Sequence, residues 1–536
     1  MNSSNATSVV DAELLEFLNQ PASYPHHPEQ VEHIQTHISH VFIAPPFVYK
    51  IKKPVNFEFL DYRSLDKRKF YCRREVELNR RLCSEIYLGV TPVYKTANGF
   101  TFDAADGGDP VEYAVKMKKL EDRYFLHNLL ENRGLDKVQL DRVADKLASF
   151  YNRQEPDREV LEYGSIDKIR VNTNENFDQT KPFIGDTIDR MQWEVIKRFT
   201  DGYFEHHEEL FEKRVAQLRI VDGHGDLHLE HIHIKPDRIC IYDCIEFNDR
   251  FRYQDLANDI AYLAMDLDLN DCRHLSDHFI EVMAGRLDDQ DLHKMIDFYK
   301  CYRAYVRGKV KSMESSEEEI LEEHREKAAG EARRYFDLSL EYALLGSGPM
   351  AVIFMGRVAS GKSTLAGWLS EKLHLNCYSS DRIRKRIAGI PLNKRPSEEV
   401  REHLYSPEMH DRTYSKLFEH LAKRISQGES VILDATFNRK AARAEIRKKL
   451  ESAGIPYLFI QSIAPENLLR KRLKKRDEQE EAVSDARLED YEMLEERFEP
   501  PREIEQLLRV NTDCSLEESI HQLYEQLVER HLQQVE

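Results

Sequence analysis

The sequence predicts an α+β region followed by a parallel α/β sheet with helices on both faces. Three observations predict it. From Met350 onward, apolar runs of strand length alternate with stretches of helical periodicity, the order that builds parallel sheets. Between the first of those strands and its helix stands a glycine-rich loop, Gly356 to Thr364. The segment Gly346-Ser-Gly-Pro349 breaks the composition and sets the expected border, with one domain over 1–345 and a second over 349–536.

At 536 residues the chain is too long for a single core. Its 41% hydrophobic and 32% charged residues indicate a globular chain rather than a disordered one. A net charge of −18 weighs against nucleic acid and anionic membranes as partners, since both call for basic surfaces. No run approaches ~18 consecutive apolar residues, so no membrane span is expected. The start, Met1-Asn-Ser-Ser-Asn-Ala-Thr7, lacks the basic and apolar regions of a signal peptide, and a cytoplasmic protein is expected. Eight cysteines are scattered without a C-x-x-C pair. They read as free thiols in a reducing compartment, with Cys240 and Cys244 as core residues.

Asp11 to Leu18 reads as a short helix. Thr36–Ile43 and Phe47–Lys52 read as strands joined by a Pro45-Pro46 turn. Lys67 to Leu82 is helical, and Tyr94–Phe102 and Val111–Met117 are further strands. A strand, a lysine-bearing strand, a glutamate-bearing helix and more strands resemble the small lobe of a protein kinase. That resemblance implies Lys50 pairing with Glu75 and holding ATP phosphates, with Met117 near the adenine hinge. Lys52 competes with Lys50 for the role, and Glu77 with Glu75.

Leu126 to about Arg219 reads as mostly helical. Next comes Ile220-Val-Asp-Gly-His224-Gly-Asp226-Leu-His228-Leu-Glu-His231-Ile-His233, and then a strand over Ile239–Phe247. A loop carboxylate followed by a strand carboxylate suits phosphoryl transfer. Asp226 would orient or deprotonate an attacking hydroxyl, and Asp243 would hold Mg²⁺. Asp255–Asp266 reads as a core helix. Phe298–Lys311 sets Arg303, Arg307 and Lys311 on one face, which either meets a phosphorylated substrate or is simply solvated.

His224-Gly-Asp-Leu-His228 resembles the catalytic loop of aminoglycoside and choline phosphotransferases, relatives of protein kinases. That family has an Mg²⁺-binding Asn where this chain has His231. The resemblance implies a two-lobed protein-kinase-like domain that is either a second phosphotransferase or a degenerate regulator. His228, His231 and His233 raise a zinc reading as well, although their spacing fits neither H-E-x-x-H nor another zinc pattern well.

In the second domain Gly356, Arg357, Val358, Ala359, Ser360, Gly361, Lys362, Ser363 and Thr364 fit G-x-x-x-x-G-K-[ST], between the strand Ala351–Met355 and the helix Leu365–Leu373. Backbone N–H groups at a helix N-terminus cradle phosphates, Lys362 reaches the outer phosphates and Ser363 ligates Mg²⁺. Further strands are expected at Asn376–Ser380, Glu429–Asp434, Ile455–Gln461 and Leu508–Thr512. Ligands bind outside the carboxyl ends of such strands. There Asp381 is placed as base, Arg384 as clamp on an acceptor phosphate and Asp434 as Mg²⁺ carboxylate, with Arg472 and Arg476 as lid arginines.

Gly356–Thr364, Asp381-x-x-Arg384, Val431–Thr436 and Val483-Ser-Asp-Ala-Arg487 resemble the P-loop kinases that include zeta toxins, the five-prime domain of polynucleotide kinases and gluconate kinase. Together the halves resemble bacterial fusions of an aminoglycoside phosphotransferase-like domain with an ATP-binding kinase. The resemblance implies an ATP- and Mg²⁺-dependent phosphotransferase acting on a small-molecule hydroxyl. Two other readings stand: a nucleotide-gated regulator with slow hydrolysis, and a nucleic-acid end kinase, against which the charge of −18 weighs.

Overall fold

The structure, a computed structural model, describes residues 12–57, 60–104, 108–317, 321–392, 394, 396–478, 486–504 and 506–534. The chain forms two compact units. The first comprises Met1–Val171, Glu208–Asn270 and His278–Ile296, and the second Asn172–His207, Asp271–Asp277 and Asp297–Glu536.

The first unit opens with α1 (Ala12–Asn19), β1 (Glu32–Gln35), β2 (Ser39–Ala44), β3 (Phe47–Lys52), β4 (Asn56–Phe57), β5 (Leu60–Asp61), α2 (Leu65–Asn79), β6 (Tyr87–Thr96), β7 (Gly99–Thr101) and β8 (Asp109–Lys118). Six of these strands make a sheet in the order β1-β2-β3-β8-β6-β7. Side chains alternate along a strand, so β3 sends Tyr49 and Ile51 one way and Lys50 and Lys52 the other. Tyr49 and Ile51 join Leu14, Leu18, Tyr24, Phe42 and Ala114 in one core. The opposite face packs on α2 through Cys72 and Val76 against Val115 and Met117. Both lysines are therefore aimed at Glu75 on α2. The run expected as one strand over Tyr94–Phe102 is a hairpin, closed where Thr96 pairs with Gly99. Strand β1 carries mostly exposed polar residues, a pattern with no apolar alternation to reveal it.

The chain continues through α3 (Leu126–Glu131), α4 (Lys137–Tyr151), α5 (Arg158–Glu162), α6 (Ile166–Thr180), α7 (Arg190–His206) and α8 (Glu208–Ala216). Short strands follow: β9 (Ile220–Asp222), β10 (Ile232–Ile234), β11 (Ile239–Ile241) and β12 (Tyr253–Asp255). Then come α9 (Leu256–Leu269), α10 (Arg273–Leu287), α11 (Leu292–Ser315) and α12 (Glu322–Leu345). The strand expected over Ile239–Phe247 ends at Ile241, because Asp243 turns the backbone into the left-handed region at φ +61°. The expectation of free thiols fails at one pair. Cys83, after α2, and Cys240, on β11, form a disulfide with Cα atoms 4.8 Å apart. They lie 157 positions apart in sequence, so only tertiary folding reveals the pair.

The second unit contains β13 (Ala351–Gly356), α13 (Lys362–Lys372), β14 (Asn376–Ser379), α14 (Ser380–Ile387), α15 (Glu398–Leu404), α16 (Pro407–Ile425), β15 (Val431–Asp434), α17 (Lys440–Ser452), β16 (Tyr457–Ile463), α18 (Glu466–Asp477), α19 (Tyr491–Glu496), β17 (Leu507–Asn511) and α20 (Leu516–Gln533). Its five strands are parallel in the order β14-β15-β13-β16-β17. Strand β13 is central and fully buried, which explains its unbroken apolar run. Its carboxyl end lies where the strand order reverses, a crevice that such sheets use for ligands. Helices α7, α12 and α20 pack together in this unit, with Phe199 stacked on His531 at 5.0 Å. The basic face of α11 is taken up in helix packing. Arg303 is buried, Arg307 donates to the Tyr335 hydroxyl at 3.3 Å, and Lys311 pairs with Glu314 and Glu331. No helix among the described residues is long and apolar enough to cross a membrane.

Candidate functional site

The glycine-rich loop of the second unit runs from the end of β13 to the start of α13. Gly356 has φ +146°, and a Cβ there would lie 2.7 Å from the Ser462 carbonyl oxygen. Gly361 has φ +90° beside Thr512. Only glycine suits both turns. The loop is braced from outside. The Ser360 and Ser462 hydroxyls are 2.6 Å apart, and Thr512 Oγ1 donates to the Ser360 carbonyl at 2.7 Å. Arg472, on α18, donates to the Ala359 carbonyl at 3.2 Å and to Thr512 Oγ1 at 3.0 Å. Arg472 thus grips the loop backbone, and half-buried Arg476 lies one turn further along α18. Val358 packs on Ala359, Leu469, Leu473 and Tyr491. Arg357 pairs with Glu495 at 2.7 Å and lies over the Phe498 ring. Beside the loop is a cavity of 430 Å³ bordered by Arg357, Ser360, Phe498, Arg502 and Arg509.

Lys362 opens α13, and the Thr364 amide turns back to the Gly361 carbonyl. Strand β15 pairs with β13 and β14, so Asp434 lies level with Phe354 and Ser379. Asp434 is buried, and its Oδ1 has no hydrogen-bond partner among the described residues. Burial pushes its carboxyl up, against the pull of the Lys362 charge and the Ser363 hydroxyl. A buried, orphaned carboxylate oxygen beside a serine hydroxyl suits a hard dication such as Mg²⁺, which takes oxygen ligands. Next along the sheet, α14 carries Asp381 in its first turn and Arg384 in its last, joined by a 2.7 Å bond from Arg384 Nη1. The Arg384 guanidinium is buried over the Tyr405 ring at 4.9 Å, with Nε lacking a partner among the described residues. Of the remaining likeness, Val483, Ser484 and Asp485 lie outside the described residues.

The first unit holds a second constellation. Lys50 Nζ is 2.5 Å from Asp243 Oδ1 and 3.1 Å from Glu75 Oε1. Lys52 Nζ is 2.7 Å from Glu75 Oε2 and also bonds Glu246. Both lysines therefore meet Glu75, while Glu77 is exposed and pairs with Arg74. Burial alone would push the Asp243 carboxyl up, but Lys50, and then His231, hold it down to about 2. Met117 sits at the end of β8, buried beneath α2.

Asp226 lies between three groups. Tyr262 donates to its Oδ1 at 2.9 Å, and the nearest ring nitrogens of His228 and His231 are each 3.5 Å from its Oδ2. The three histidines do not converge, as their spacing indicated. His233 is buried on β10 with Nε2 3.1 Å from the Glu121 carbonyl, so the cluster consists of Asp226, His228 and His231.

Four contributors went unforeseen. Glu246 holds Lys52, and Tyr62 donates to Glu246 at 2.6 Å. Asp259 accepts the His224 and Gly225 amides at 2.6 and 2.8 Å and thereby fixes the loop. Asp266 accepts the Leu229 amide. Asp259, Tyr262 and Asp266 recur at helical spacing along α9. Polar residues on the buried face of an apolar helix were the available signal.

The fold and the two sites define the class: an α+β unit with buried lysine–carboxylate pairs and a P-loop parallel-sheet unit in one chain. A family model described as an AAA domain, AAA_33, matches residues 352–501. The uncharacterized protein Rv2004c of Mycobacterium tuberculosis and the uncharacterized protein Mb2027c of Mycobacterium bovis are each 30% identical to this chain over 419 residues, 77% of this chain and 80% of theirs. The chain belongs to the family of these mycobacterial proteins. Among solved structures, a gluconokinase from Sinorhizobium meliloti is 20% identical, with 34% of this chain and 93% of that one covered and a TM-score of 0.26. A choline kinase from Cryptosporidium parvum is 12% identical, with 61% and 94% covered and a TM-score of 0.38.

Proposed function

We propose that the protein is an ATP-dependent phosphotransferase whose chemistry occurs at the glycine-rich loop of the second unit, with a small-molecule hydroxyl as acceptor. The observation that carries this reading is the open set of groups at one strand edge. The Lys362 charge acts on Asp434, whose Oδ1 is orphaned beside Ser363. The Asp381–Arg384 pair stands ready at the neighbouring strand end. In this reading the loop amides and Lys362 bind the nucleotide phosphates. Asp381 takes the acceptor proton, and Arg384 steadies the acceptor. Arg472 keeps the loop in shape, and Arg476 faces the transferring group. Mg²⁺ held by Ser363 and Asp434 would offset phosphate charge. The chain is organised as modules 1–345 and 349–536, in the cytoplasm.

A second reading keeps the first unit as a nucleotide-gated regulator. The closed Lys50–Asp243 pair favours it, because a nucleotide has to displace a carboxylate there. The test is ATP turnover by the full chain with and without a pooled metabolite extract, comparing wild type with Lys362→Ala, Asp381→Asn and Asp226→Asn. Stimulation by the extract that disappears in both Lys362→Ala and Asp381→Asn supports the kinase. Loss only in Asp226→Asn moves the chemistry to the first unit. Slow hydrolysis indifferent to the extract and to Asp381→Asn leaves the regulator. Tight single-strand binding with a steep salt dependence would instead support an end kinase.

A further inference from the structure

His231 stands where the phosphotransferase resemblance calls for an oxygen donor, and its surroundings are those of a metal ligand. We propose that Asp226, His228 and His231 form a site for a nitrogen-preferring transition-metal dication of the zinc class, in place of Mg²⁺. This deepens the reading of the first unit given above.

One donor atom from each residue lies within 4.8 Å of the others. Donors around an ion with bonds of about 2.1 Å stand up to roughly 4.2 Å apart, so small side-chain shifts close the set. His231 Nδ1 is 2.9 Å from the Asp226 carbonyl oxygen. A carbonyl only accepts, so the ring proton sits on Nδ1 and Nε2 offers its lone pair. A backbone carbonyl fixes the imidazole of metal-binding histidines in the same way. His231 Nε2 faces Asp243 Oδ2 at 3.8 Å. Two lone-pair atoms at that separation are too far apart for a hydrogen bond, a gap that the proposed cation would span.

Charge points the same way. Lys50 and Lys52 meet Glu75, Glu246 and Asp243, with Asp226 and Asp243 both beside His231, so carboxylates outnumber ammonium groups. Mg²⁺ takes oxygen ligands and accepts imidazole poorly, whereas zinc and its neighbours accept it readily. The donor set present does not fit Mg²⁺.

The test uses the full chain, stripped with a chelator and free of nucleotide, so its result is independent of any turnover. Zn²⁺ and Co²⁺ are titrated by calorimetry, and Co²⁺ also by visible absorption. The expected result is one tight site per chain with a nitrogen-ligand Co²⁺ spectrum that equimolar Mg²⁺ leaves unchanged. His231→Asn and His228→Gln should each weaken it by about tenfold or more, and His233→Gln should not. Two variants guard against one that misfolds, and thermal melts check both. Displacement of Co²⁺ by equimolar Mg²⁺, or unchanged affinity in folded His231→Asn or His228→Gln, overturns the proposal, as does the absence of a tight site in wild type.

Discussion

The two units carry similar charged groups in opposite states. In the first, Lys50 and Lys52 are already answered by Glu75, Asp243 and Glu246. In the second, Asp434 keeps a buried oxygen unbonded beside Ser363, with the Lys362 charge acting on it. A self-neutralised site is stable and has to be opened by its ligand. An unfinished site carries a standing stability cost that its ligand removes. The contrast separates a set of charges closed by its own ion pairs from a glycine-rich loop with an unbonded carboxylate oxygen nearby.

The largest effect expected from breaking this contrast is in the first unit. Lys52→Met takes the bonded ammonium from buried Glu246 and one of two from Glu75, and should cost about 3–5 kcal/mol in denaturant unfolding. Lys50→Met, nearer the surface, should cost less. Equal losses would erase the distinction between the two lysines. In the second unit, Lys362→Ala should lower ATP turnover by roughly 10²–10³ with little change in melting temperature. A large stability loss instead would mean that Lys362 is a structural partner.

Smaller effects sharpen the comparison. Burial holds the Asp434 carboxyl above its ordinary range, so its ionisation works against folding at any pH above its folded pKa. Asp434→Asn should therefore raise the melting temperature at pH 8 while weakening Mg²⁺–nucleotide binding. The stability gap should close as the pH falls and Asp434 takes up its proton. The smallest effect is in the first unit. Burial first, and His231 second, hold His224 down to about 3 from its ordinary 6.5. The unfolded chain takes up that proton below 6.5 and the folded chain only near 3, so stability falls with pH across that window. Melts between pH 7.5 and 4.5 should show the decline, and His224→Gln should flatten it.

The parallel sheet was legible because its signals are local. A buried central strand is one apolar run, and the loop motif fixes both its neighbours. The β3 lysines were legible as candidates but not as a choice. Period-two alternation puts Lys50 and Lys52 on the same face, and both reach Glu75. The Cys83–Cys240 disulfide and the Asp259 bonds to the His224 loop depend on contacts between distant segments, which spacing does not encode. The make-up of the histidine cluster escapes spacing for a related reason. Strand β10 turns His233 away, while the single turn Leu229–His231 brings His231 back beside His228, with ring centroids 3.9 Å apart.

Asp243 combines a catalytic-looking carboxylate with a left-handed backbone at φ +61°. Asparagine and glycine tolerate that conformation, whereas alanine adds about 1–2 kcal/mol of strain. Asn at this position removes the charge and spares the turn, but Ala disturbs both. The same asymmetry acts over evolutionary time. A lineage that no longer needed the carboxylate would drift first to asparagine or glycine here. The peptide geometry would then preserve the outline of a chemistry that the side chain had given up.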